Sequence, residues 1–194
     1  MKAFIDTSYR EHAAVMEALV AGSGPVIEAI ADRLAAVFRG GGKLLLCGCG
    51  GSAADAQHIA GELVNRFRFD RGALPAIALT TDTSVLTCIA NDSCFDQVFA
   101  RQVQALARPG DALLAISTSG RSAVVLLALE AARAGGVATI GLTGSGGAAT
   151  MGPLCDLLMV APSGVTARVQ ECHEFAYHVI CGLVESDMFP RQEA

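Results

Sequence analysis

His58 and Glu62 stand four residues apart, a spacing that puts an imidazole and a carboxylate on neighbouring turns of one helix face. Nitrogen and oxygen donors so placed can grip one divalent ion, and this pair suits zinc. Glu62 and Arg66 repeat the spacing. An ordinary contact on a helix surface has the same spacing, so the pair alone leaves both readings open. A second polar group, Gln170, Glu171, His173, Glu174 and His178, falls toward the C-terminus. Gln170 and His178 are eight apart, about 12 Å along a helix at 1.5 Å per residue. Both could reach one ion only with fully extended side chains, or if separate subunits supplied them. His173 and Glu174 between them read as solvated, and one of the two histidines is expected to be functional and the other not.

Two polar loops add a different chemistry. Gly48-Cys49-Gly50-Gly51-Ser52 follows an apolar run and opens a helix, so backbone can approach a ligand closely and free N–H groups can meet an anion or sugar oxygens. The loop also fits a loose Gly-x-Gly-x-x-Ala dinucleotide pattern. That reading wants an acidic residue about 20 residues on, and the candidate, Asp82, lies some 30 on. A tight turn that binds nothing is the plain alternative. Ser117-Thr118-Ser119-Gly120-Arg121-Ser122 carries four hydroxyls in six residues. Helix capping needs one hydroxyl, so the surplus points to a phosphate held by O–H and N–H donors. Arg121 either adds charge there or is simply exposed.

The elements that must position these groups follow from hydrophobic periodicity. Apolar residues recur at spacings of three and four from Phe4 to Val20 and from Val26 to Phe38, which predicts two amphipathic helices separated by Gly22-Ser23-Gly24-Pro25. Short apolar runs then recur at Leu44 to Cys47, Pro75 to Leu79, Asp111 to Ser117, Val137 to Leu142 and Leu157 to Val160, with helical patterns such as Ser122 to Ala134 between them. This alternation predicts an α/β fold with a parallel sheet covered on both faces. A last helix, about Val165 to Met188, carries Val169, Cys172, Tyr177, Ile180 and Val184. Ligands of such sheets bind at the carboxyl ends of strands, where both polar loops fall.

Composition sets outer bounds. The 194 residues are 52% hydrophobic and only 17% charged, with a formal net charge of −5. Average usage is about 25% charged, so little material covers a monomer's surface and a homo-oligomer is expected. A pI near 5.3 without a basic run argues against nucleic acid as a ligand. The longest stretch free of charged residues, Ala134 to Cys155, contains seven glycines and Pro153, so no membrane span is expected there, and Met1 to Arg10 shows no secretory signal. Seven cysteines with no Cys-x-x-Cys pair suit a reducing, cytoplasmic setting.

The motifs taken together resemble one family. Gly48-x-Gly50-Gly51-Ser52-Ala53-Ala54-Asp55-Ala56-Gln57-His58-x-x-x-Glu62, the Asn91-Asp92 pair, Ser117-Thr118-Ser119-Gly120-x-Ser122 and Gln170-Glu171-x-His173-x-x-x-x-His178 are similar to the phosphoheptose isomerases, in the SIS group of phosphosugar-binding domains. The resemblance runs over nearly the whole chain. It implies a single domain over 1–194, with N-terminal helices (1–39) used in oligomer packing and an α/β core (40–194). The core would be a three-layer sandwich around a five-stranded parallel sheet, flavodoxin-like. It further implies a cytoplasmic homotetramer that converts sedoheptulose 7-phosphate into D-glycero-D-manno-heptose 7-phosphate, toward ADP-heptose for lipopolysaccharide.

The resemblance also assigns residues. One Zn2+ per subunit would be held by His58, Glu62, Gln170 and His178. Substrate contacts would be Gly50, Gly51, Glu62, Asn91, Asp92, Ser117, Thr118, Ser119, Ser122 and Gln170, with Cys49, Ser52 and Arg66 beside them. Aldose–ketose exchange moves a proton between C1 and C2 through an ene-diol, a task for Glu62 at carbon and His178 at oxygen, with zinc as Lewis acid. The family usually has Asn where this chain has Cys49, and a thiol makes poorer hydrogen bonds to sugar hydroxyls. The rival within the fold, a non-catalytic replication-initiator-binding protein, lacks the counterparts of Glu62 and His178. A phosphosugar-sensing regulator would add a DNA-binding module, for which 194 residues leave no room.

Overall fold

The computed structural model describes residues 1–190; residues 191–194 of the expected domain lie outside the described residues. Five strands form one parallel sheet in the order β2-β1-β3-β4-β5: β1 (Leu44–Gly48), β2 (Ala76–Ala78), β3 (Ala112–Ser117), β4 (Ala138–Gly144) and β5 (Leu157–Ala161). Register is fixed by pairs such as Leu44 with Ala112 and Ala112 with Ala138. All five expected runs are strands, and the order is the flavodoxin-like one.

Buried strands need apolar side chains on both faces, and the sequence supplies them. Leu44 and Leu46 of β1, Leu114 and Ile116 of β3 and Ile140 and Leu142 of β4 face one core layer. It is closed by α1 (Lys2–Arg39), α2 (Gly51–Val64) and α7 (Thr166–Met188). Leu45, Cys47, Leu113 and Ala115 face the other layer. There they meet α4 (Val98–Leu106) and α5 (Ala123–Ala134), joined to β2 through α3 (Thr83–Asp92). A four-residue helix, α6 (Ala148–Met151), follows β4. The three-layer sandwich is as expected.

The N-terminus departs from expectation. In place of two helices broken at residues 22–25 there is one 38-residue helix with Pro25 inside it. Leu19, Ser23, Ile27, Ile30 and Leu34 form one buried stripe whose spacing of three and four runs through the glycines without a phase change. Its packing outweighs the roughly 3 kcal/mol penalty of an interior proline. Both Pro25 and Ala21, whose carbonyl loses its partner, are exposed, so water can satisfy the freed oxygen. From Leu19 onward α1 is part of the core; Val15 and Met16 pack against its edge, and His12 and the Ser8 carbonyl bond to α7, while the first turns are mostly exposed.

By length and apolarity α1 could also cross a membrane, with a mean hydropathy of 1.5 in its most apolar window. Its second half is instead committed to protein, with Ile30 and Leu34 fully buried against the sheet layer.

Candidate active site

Both polar loops lie where the chain order changes direction, at the carboxyl ends of the neighbouring strands β1 and β3. Crossovers leave β1 and β3 toward opposite faces of the sheet at this point, which opens a crevice between the loops. Cys49 and Ser52 from the first loop and Ser117, Thr118, Ser119 and Ser122 from the second line one cavity of about 180 Å3. Its floor is Ile116 and Val125.

The second loop is held open by its own hydrogen bonds. Gly120 N–H donates to Ser117 Oγ, and Arg121 N–H donates to Ser119 Oγ. Gly120 sits at φ +65°, and a Cβ there would come within 2.3 Å of Gly147 Cα, so no other residue fits. Ser122 occupies the N-cap of α5 but makes no side-chain cap bond, and its hydroxyl interacts with Cys49. The loop thus spends acceptor lone pairs on itself and leaves hydroxyl protons to donate into the cavity. That polarity suits an anion at a helix start. Arg121 is exposed.

Cys49 behaves as a neutral thiol: partial desolvation pushes its pKa up, against a smaller downward pull from Ser122. All seven cysteines are free. Asp82 is a helix cap. Its carboxylate accepts from Val85 N–H as the N-cap of α3.

The second part of the site is built between α2 and α7. His58 and Glu62 project from α2 and His178 from α7, with one donor atom from each lying within 4.8 Å of the others. His58 Nε2 is 3.1 Å from Glu62 Oε1. The two imidazole rings meet edge to face with centroids 5.0 Å apart, and Phe67 stacks on His178 at 5.7 Å. Two nitrogens and a carboxylate at this distance are a potential metal centre.

The other assigned residues are placed as follows. Gln170 sends its amide to the start of α2, where Nε2 would be 2.3 Å from a Cβ on Gly51; Gly51 is seven residues ahead of His58 on that helix. His173 is fully buried, not solvated, with neither ring nitrogen hydrogen-bonded. Glu174 is exposed as expected. Arg66 lies beyond the end of α2, so it does not share a helix face with Glu62; it pairs with Asp70 in the open. Asn91 and Asp92 end α3, exposed and hydrogen-bonded to each other at 2.8 Å, and do not line the cavity.

Several groups beside the cluster escaped sequence reasoning. Asp55, one turn before His58, has a carboxylate oxygen buried without a partner. Desolvation and then the charge of Glu174 push its pKa up to about 6, against a pull from His58. The three-residue spacing from His58 was the available signal. The hydroxyl of Tyr177 lies 3.0 Å from His58 Nδ1. Arg71 caps the far end of α2: it donates to the backbone carbonyls of Glu62 and Leu63 and pairs with Glu185, both side chains being almost fully buried. Glu185 in turn accepts from Phe67 and Arg68 N–H. Burial alone would raise the Glu185 pKa, but these donors and Arg71 hold it below the usual carboxylate range. Nothing in local spacing links Arg71 to a glutamate 114 residues away.

Comparison with known proteins identifies the family. Residues 8–144 match the SIS domain. The chain is 59% identical to the phosphoheptose isomerase of Roseiflexus sp. (strain RS-1) over 85% of its own length and 83% of that protein. It is 49% identical to that of Trichlorobacter lovleyi over 97% and 96%. Among solved structures, the phosphoheptose isomerase of Neisseria gonorrhoeae superposes with a TM-score of 0.88 at 40% identity, covering 95% of this chain and 98% of that one. The enzyme from Francisella tularensis gives 0.89 at 35% identity, covering 96% and 99%. With a shared fold, near-complete coverage and identity of this order, the chain belongs to the phosphoheptose isomerase family of SIS-domain proteins.

Proposed function

We propose that this protein interconverts D-sedoheptulose 7-phosphate and D-glycero-D-manno-heptose 7-phosphate, supplying the first intermediate toward ADP-heptose for lipopolysaccharide. The observation that carries the reading is the convergence of His58, Glu62 and His178 within 4.8 Å in a chain of this family. The donor set fits zinc, since two imidazoles and one carboxylate leave a position open, as in catalytic rather than structural sites. When bound, the ion supplies Lewis acidity to the sugar's C1 and C2 oxygens.

This chain's own residues do the rest. The hydroxyls and N–H groups of Ser117, Thr118, Ser119 and Ser122 hold the phosphate, and the Gly50–Ser52 backbone with Cys49 borders the sugar. Glu62 carries the proton between C1 and C2; a carboxylate that ligates through one oxygen keeps the other for the proton. His178 donates to and accepts from the substrate oxygens. Gln170, at Gly51, contacts the sugar. It reaches the ion only by extension or from a neighbouring subunit. Asn91 and Asp92 would meet the substrate in the same way, through movement or assembly.

A homotetramer accounts for the apolar first half of α1, where Phe4, Ile5 and Tyr9 are 77%, 65% and 69% exposed, and for the low charge content. Seven free thiols accord with a cytoplasmic enzyme. The test is turnover of sedoheptulose 7-phosphate to an aldose phosphate by zinc-supplied protein. Glu62→Gln is expected to abolish turnover while leaving the circular dichroism spectrum and melting profile intact. An inactive wild type, or an active Glu62→Gln, would overturn the proposal.

A further inference from the structure

Tyr177 connects the core of the molecule to the histidine–glutamate cluster. Its side chain is 1% exposed, yet its hydroxyl reaches His58 Nδ1 at 3.0 Å. The other nitrogen of the same imidazole, Nε2, faces Glu62. His58 itself is loosely held, with 42% of its side chain exposed, and its ring meets those of Tyr177 and His178 only edge-on. Among the described residues, the tyrosine hydroxyl is therefore the one hydrogen bond that ties this imidazole to a second helix. We infer that Tyr177 is a positioning residue for the metal centre: its core-anchored hydroxyl fixes the ring rotation of His58 so that Nε2 faces Glu62 and His178, and it accommodates the tautomer in which Nε2 presents its lone pair. The inference rests on the metal reading proposed above.

The choice of a hydroxyl has a chemical reason. Without a cation, Nε2 carries the hydrogen and donates to Glu62, so Nδ1 must accept from Tyr177. With a cation, Nε2 must give up that hydrogen, so Nδ1 carries one and donates to the tyrosine oxygen. A hydroxyl can play both parts. A carboxylate or backbone carbonyl, the commoner partner of a ligating histidine, can play only the second. The side chain of Phe67, stacked on His178, has no polar atom and cannot substitute.

Tyr177→Phe removes the oxygen and keeps the ring that packs in the core. The measurement is zinc affinity of the chelator-stripped protein, by competition with a chromophoric chelator, alongside its metal-free melting temperature. The expected result is a Kd 10- to 100-fold weaker than wild type, the usual effect of losing such a partner, with the melting temperature nearly unchanged. An unchanged zinc Kd in a folded Tyr177→Phe protein would overturn the inference. Nitrogen-15 NMR of the wild-type histidines provides a test independent of any variant. Zinc-loaded protein is expected to show His58 metallated at Nε2 and protonated at Nδ1, and coordination through Nδ1 would refute the inference. If wild type binds no zinc while still turning over substrate, the metal reading fails and takes this inference with it. If wild type binds zinc and Tyr177→Phe binds it equally well, only the role of Tyr177 fails.

Discussion

His173 gives the protein a dependence on pH that can be worked out in advance. The imidazole is fully buried on the inner face of α7, and among the described residues neither ring nitrogen has a partner at full hydrogen-bond geometry, the Thr143 backbone making only a weak contact. Desolvation lowers its pKa to about 4, against a smaller opposing contribution from the Thr143 backbone. In the unfolded chain the group titrates near 6.5. Between these values the unfolded state binds the proton and the folded state does not, so acid favours unfolding. The stability is fully present above about pH 6.5, declines as pH falls, and stops declining near pH 4. Each pH unit in that window costs about 1.4 kcal/mol, so moving from pH 7.5 to pH 5 removes about 2 kcal/mol through this one residue. His173→Leu, close in volume, abolishes the term. Asp55, whose pKa is raised, works in the opposite sense over an overlapping range, so the quantity to measure is the difference between wild type and variant. Urea unfolding of metal-free protein at both pH values, at one protein concentration, should show the variant gaining about 2 kcal/mol on wild type at pH 5 relative to pH 7.5, or roughly 4–8 °C in melting temperature. A difference that stays constant with pH would refute the reasoning, because it would mean that His173 finds a proton acceptor or water inside the fold.

Two further outcomes follow from the geometry around α2. A methyl group at position 51 would collide with the end of the Gln170 side chain, whose atoms are its three nearest neighbours; Gly51→Ala should therefore fold normally, with a melting temperature near that of wild type, while turnover drops at least tenfold as the amide is displaced. Glu185→Gln leaves the almost fully buried Arg71 charge without its counter-charge and should cost about 3–5 kcal/mol by chemical denaturation, whereas a loss under 1 kcal/mol would show that the backbone carbonyls alone satisfy the guanidinium.

The sheet was legible because β1, β3 and β4 are largely apolar runs buried on both faces, while the edge strands β2 and β5, only partly buried, were still short apolar runs bounded by turn residues. The serine-rich loop was legible as part of a cavity because its hydroxyls and its place at a strand end coincide within six consecutive residues. His58 and Glu62 were legible as a pair, but their meeting with His178 depends on how α7 packs across α2, which no local pattern encodes. The reading of α1 failed at Gly22 to Pro25 because breaker residues were weighed without the stripe that continues through them. His173 was misplaced for a related reason: a polar residue between polar neighbours reads as solvated, while its helical phase, one residue beyond Cys172 and four beyond Val169, sets it on the inner face. Arg71 and Glu185 were invisible because a buried ion pair has no sequence signature beyond its two residue types.

The pairing of β1 with β3 has a kinetic consequence. Leu44 lies beside Ala112, so the two loops that form the cavity cannot meet until the ends of a long intervening chain segment have closed, a slow step in parallel sheets. The cavity is then absent from any species in which β3 has not docked. A phosphorylated sugar that occupies it stabilises the completed fold by mass action and gives no support to earlier intermediates. Adding ligand should slow unfolding and leave the refolding rate unchanged, so assembly is insensitive to substrate while the lifetime of the finished enzyme is set by it.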